Sequence, residues 1–157
     1  MKKIVTLLMA ISLSTFVFAQ SNKEDIDLIQ SLYGKEKKAI VADFIKLEAG
    51  PQKDAFWKLY DEYETKRKEL GQRRVALLER YAKSYANMDD KTTSDIIDQT
   101  AVLGVQTDKL IQTYQKKIEK ASGAKPAAQF FQLEAYFLSA IRVAIFESIP
   151  FIGELKK

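Results

Sequence analysis

The chain has 157 residues, 46% apolar and 29% charged, which fits one ordinary domain and excludes both a disordered tail and a membrane-integral bundle. It contains neither Cys nor His, so thiol nucleophiles, imidazole bases, zinc sites and disulfides are all ruled out. The formal charge is +4, but 25 basic residues less Lys2 and Lys3, set against 21 acidic ones, leave only +2. That near-neutral balance, mixed along the chain, is no nucleic-acid footprint.

Lys2 and Lys3 open an export signal. Ile4 to Phe18 is its apolar run, and Val17-Phe18-Ala19 predicts cleavage between Ala19 and Gln20. Ser12, Ser14 and Thr15 interrupt a run already short of the about 20 residues that a spanning helix needs. With no cysteine at the cut, lipoprotein processing is excluded. The expected product is periplasmic, without stable membrane insertion after cleavage: residues 1–19 form the signal peptide and 20–157 a single helical domain.

Four helices and no strand follow. The first is predicted from Lys23 to Lys46, with Ile26, Ile29, Tyr33, Ile40, Val41 and Phe44 on one side, Lys37 filling a gap, and Gly34 inside it. Gly50-Pro51 turns the chain into a second helix reaching Met88. Asp89-Asp90-Lys91-Thr92-Thr93 is a polar turn, with Asp90, Thr92 or Thr93 as caps. A third helix runs from Ser94 to Ala121, stepping through Ile96, Thr100, Leu103, Thr107, Leu110 and Tyr114. Gly123 and Pro126 separate it from a fourth, Pro126 to Ser148, which is apolar on nearly all sides and is ended by Pro150. The predicted fold is all-α: an elongated four-helix protein in which the second and third helices form a long antiparallel helical hairpin.

The second helix carries one unbroken stripe. Phe56, Tyr60, Tyr63, Arg67, Leu70, Arg74, Leu77, Tyr81, Ser84 and Met88 follow at spacings of three or four. Arginine stands at two positions where a closed seam would take leucine. Either the two stems pack and their heads reach water, or the face is open. In the second case Tyr63, Leu70 and Leu77 supply apolar contact while Arg67 and Arg74 catch acidic or carbonyl groups. These five residues are the candidate client-binding set. Asp61, Glu62 and Glu64 read as solvent-facing ion pairs beside Lys66, Arg67 and Lys68. No phosphate loop, dinucleotide fingerprint, nucleophile elbow or calcium loop is present, so no enzyme, cofactor or metal site is expected.

Gly34-Lys35-Glu36-Lys37-Lys38, Phe56-Trp57-Lys58-Leu59-Tyr60-Asp61-Glu62-Tyr63-Glu64, Phe130-Phe131-Gln132-Leu133-Glu134 and Ile149-Pro150-Phe151 occur in an order similar to the Spy/CpxP-like periplasmic family. The resemblance spans about Tyr33 to Phe151. It implies a cradle-like homodimer whose concave face, carrying Tyr63, Arg67, Leu70 and Arg74, holds unfolded or envelope proteins without ATP during stress. Two features depart from that family. Its Leu-Thr-x-x-Gln opening is replaced by Leu47-Glu48-Ala49-Gly50-Pro51-Gln52, and no second copy is recognisable between Met88 and Asp95. Without histidine, the metal-sensing role of some relatives does not transfer. The expected function is therefore an ATP-independent, chaperone-like binding protein. The alternatives are a regulatory subunit contacting an envelope-stress sensor, or a structural envelope protein.

Overall fold

The computed structural model describes residues 34–153. The signal segment, the Ala19/Gln20 cleavage site and the start of the first predicted helix, with Ile26, Ile29 and Tyr33, lie outside the described residues. Among those described, the chain is an elongated all-α protein of four helices: α1 (Lys37–Phe44), α2 (Pro51–Ser84), α3 (Asp90–Ser122) and α4 (Ala124–Ser148). A 3-10 turn, Tyr85–Asn87, follows α2. At 1.5 Å per residue, the 34 residues of α2 extend about 51 Å.

Local chemistry sets most boundaries. Gly50 takes φ 146°, a value that side chains disfavour, and Pro51 then supplies the first helical φ without needing a partner for an N–H. α2 runs unbroken through Gly71 but stops at Ser84, short of the expected Met88. α3 begins at Asp90 rather than Ser94, because the cap is Asp89 and not Asp90, Thr92 or Thr93. Asp89 Oδ1 accepts from the Thr92 backbone N–H at 2.7 Å. The Thr92 side chain and N–H hold that carboxyl below its ordinary pKa. Gly123, at φ 100°, turns α3 directly into α4. Pro126 therefore falls in the first turn of α4 rather than at its first position. Gly34 is not inside a helix; with φ 65° it sits at a bend before α1.

Side-chain pairs show how the helices run. Ser122 Oγ donates to the Gln52 carbonyl, Arg73 to Gln106, and Arg80 pairs with Asp95. Numbers rise on α2 as they fall on α3, so the two run in opposite directions. α4 returns alongside α2. α1 crosses the start of both: Lys37 pairs with Glu64 and Glu134, Lys38 with Asp61, and the Phe44 carbonyl accepts from Gln129.

The core lies at the end where α1 sits. Phe56, Tyr60 and Tyr63 of α2 meet Ile111, Tyr114 and Ile118 of α3, and Phe130, Phe137 and Ile141 of α4. Tyr63 is edge-on to Phe130 at 5.0 Å and to Tyr114 at 5.6 Å, the arrangement ring quadrupoles favour. α4 is buried on one face only, through Phe130, Phe137, Leu138 and Ile141. Phe131, Tyr136, Val143 and Phe146 remain exposed. No described helix is long and apolar enough to cross a membrane.

Candidate functional site

The α2 stripe divides into two halves with different surroundings. From Phe56 to Arg67 it is closed: Tyr63 is 1% exposed and Arg67 6%. α1 and α4 lie over it and bring their own charges. Lys37, itself 2% exposed, donates to Glu64 Oε1 at 2.6 Å and to Glu134 Oε2 at 2.7 Å. Tyr63 donates its hydroxyl to the same Glu134 oxygen at 2.6 Å, and Arg67 Nε donates to Glu64 Oε1 at 3.0 Å. Tyr63 and Arg67 thus belong to a buried ion network within one chain, not to an open face. The expectation that Glu64 faces solvent is also corrected, because its side chain is only 20% exposed and accepts from two cations.

Burial acts on the two carboxylates in opposite net directions. At Glu134 desolvation is the largest influence, and nearby Glu64 adds to it, so its pKa is raised despite Lys37. At Glu64 desolvation also pushes upward, but Lys37 and Arg67 together outweigh it and hold the pKa below its ordinary value. Glu134 Oε1 has no hydrogen-bond partner, so Lys37 and Tyr63 both meet the other carboxylate oxygen. This network positions α1 across α2 and α4. It exposes no reactive group to solvent.

Beyond Arg67 the stripe opens. Leu70 is half-buried, and Arg74 and Leu77 line a groove of 620 Å³. Its walls are α2 on one side and α4 on the other, with Ile96, Thr100 and Leu103 of α3 as floor. Arg74 and Arg142 stand toward its inner end. Arg142 donates to Asp108 at 3.3 Å. Pro150-Phe151-Ile152 closes the outer end. Tyr81 donates to the Pro150 carbonyl at 2.7 Å and Tyr85 to the Phe151 carbonyl at 2.9 Å, while Phe151 stacks on Phe146 at 5.8 Å. Tyr81→Phe with Tyr85→Phe removes both ties, each worth about 0.5–1.5 kcal/mol. Faster amide exchange around Ile149–Phe151, with little change in global stability, is the expected outcome.

Of the five sequence candidates, then, two are sealed in the network, two line the groove and Leu70 lies between. Sequence reasoning missed Lys37, Glu64 and Glu134 as partners, and missed the α4 wall. A signal was present. Lys37 stands at an apolar position of the first helix, and Glu134 is a lone carboxylate inside Phe130-Phe131-Gln132-Leu133-Glu134-Ala135-Tyr136-Phe137. Charges at core positions of three separate segments have to find one another, since burial without a partner is costly. No described cluster of acidic residues fits a metal ion.

Fold and groove together define an elongated all-α protein with an apolar trough of ligand size along its outer half. Comparison of the chain with protein-family profiles, curated proteins and solved structures finds no match.

Proposed function

We propose that the protein is an ATP-independent, chaperone-like binding protein of the bacterial periplasm, similar to the Spy/CpxP-like family, that shields apolar segments of unfolded or envelope proteins. The observation that carries this reading is the 620 Å³ groove, whose lining is almost wholly apolar apart from Arg74, Arg142 and two threonines. Shape-indifferent apolar contact suits extended or partly helical chain, and the arginines favour segments that carry carbonyl or acidic groups. Exposed Ile97 and Phe146, each about half accessible, widen that surface at the rim. In this proposal the α2–α3 pair is a long hairpin arm, and two copies form a cradle with the grooves on its inner side.

The test is suppression of aggregation of a chemically denatured client at stoichiometric amounts, read by light scattering. Ile97→Glu with Phe146→Glu alters two exposed side chains, leaves the helical circular dichroism intact, and weakens protection about tenfold, the equivalent of 1.4 kcal/mol. Absence of protection by the wild-type protein at several-fold excess removes the proposal. Co-purification of a single membrane partner without general client protection replaces it with the regulatory reading. Solution mass tests the dimer.

A further inference from the structure

We infer that the groove is a binding site for a free fatty acid, held with its carboxylate at the inner end and its hydrocarbon tail running toward Pro150. This goes beyond the shielding of clients and stands on the chemical difference between the two ends of the groove. At the inner end an arginine stands on each wall. Arg73 donates to Gln106 and Arg142 to Asp108, so Arg74 and Arg142 border the groove over the same stretch of α3. Arg142 lies low against the floor there: a Cβ placed on Gly104 would be 3.9 Å from its Nη2. These two are the only charged residues among those that line the groove, and no carboxylate is among them. Asp108 meets Arg142 from outside the lining.

The remainder of the groove presents hydrocarbon. Among the described residues, its other hydrogen-bonding side chains are Thr100, Thr107 and Tyr81. Each hydroxyl already donates to a carbonyl: Thr100 to Ile96 and Thr107 to Leu103, both at 2.8 Å, and Tyr81 to Pro150 at 2.7 Å. Tyr85 satisfies the Phe151 carbonyl in the same way, so the segment that closes the outer end asks for no further partner. A peptide backbone pressed to this floor would leave its amides unpaired, which is costly. An acyl tail carries no such group. A client segment keeps its amides toward water at the rim, whereas the depth of the groove suits hydrocarbon.

Size and charge agree with one such molecule. A volume of 620 Å³ is that of a small-molecule site. From Gly104 to Ile96 the floor runs about 12 Å, a span that an acyl tail of medium length fills. A guanidinium meets a carboxylate through parallel N–H donors and gives up its water more readily than an ammonium does. Because Asp108 already draws on Arg142, a singly charged carboxylate suits the pair better than a doubly charged phosphate.

Isothermal titration of the full chain with octanoate, decanoate and dodecanoate, each kept monomeric, tests the inference. One-to-one binding is expected, tightening about tenfold for each two methylenes added. Arg74→Gln with Arg142→Gln weakens decanoate at least tenfold and leaves the uncharged analogue decanol unchanged. Thr100→Trp, at an exposed position of the floor, fills the groove, keeps the helical circular dichroism and abolishes binding of both. An arginine variant that holds decanoate as tightly as the wild type overturns the inference, as does binding that survives Thr100→Trp. Absence of binding to all three acids overturns it too; if the solution mass is then that of a dimer, the groove passes to a second copy. The titration needs no client, so a protein that protects clients yet takes no fatty acid loses this site and keeps the chaperone reading.

Discussion

Lys37→Met is expected to destabilise the protein by about 3–5 kcal/mol, because it leaves Glu134 buried opposite no cation. In a chain of this size that lowers Tm by roughly 10 °C. Lys37 is 2% exposed and Glu134 3%, so solvent screening offers little relief. Adding Glu134→Leu and Tyr63→Phe removes the orphaned carboxylate and the hydroxyl that served it. The triple variant recovers most of the loss, since replacing a buried ion pair by apolar side chains is often near neutral and Glu64 keeps Arg67 as its partner. Urea unfolding of the single and triple variants measures both effects. A triple variant no more stable than Lys37→Met would show that the network does more than satisfy its own members.

The same network has a pH signature. Glu64, held below its ordinary pKa of 4.5, contributes stability that is present above that value and is lost as pH falls through its folded pKa. Glu134 is raised above 4.5, so its contribution is full below that value and is lost as pH rises through its folded pKa. In Lys37→Met the second effect grows. The defect is therefore largest at neutral pH and shrinks on acidification, as Glu134 takes up a proton.

Phe130→Ala is the second large effect, about 3–5 kcal/mol, from an aromatic side chain that is 1% exposed and edge-on to Tyr60 and Tyr63. Its neighbour serves as the control. Phe131 is 41% exposed, and Phe131→Ala falls within about 1 kcal/mol. Equal losses from the two adjacent substitutions would contradict the burial of α4 on a single face.

Much of the fold was legible because it depends on local chemistry. Gly50-Pro51, the polar run at Asp89 and Gly123 each impose a backbone state on a few residues, so helix number and order follow without tertiary contacts. Boundaries slipped where two acceptable choices adjoin: Asp89 and Asp90 both cap well, and only the backbone decides. The stripe was legible as a stripe. Its surroundings were not, since a spacing of three or four reports which side chains share a face, never what covers that face. Tyr63 and Arg74 hold equivalent places in the pattern, yet one lies under α1 and α4 while the other borders open space.

From residue identity alone came the all-α class, the helix order, the absence of thiol and imidazole chemistry, and the pairing of rings with guanidiniums along α2. Tertiary structure alone decided that Lys37, Glu64, Arg67 and Glu134 neutralise one another, and that Phe130 is core while Phe131 is surface. It also decided that the trough opens only beyond Arg67. The physical reason is range. Helix formation and capping act within about four residues, whereas desolvation depends on every element that approaches, here α1 and α4 closing over α2, with Tyr63 and Glu134 71 positions apart in the chain.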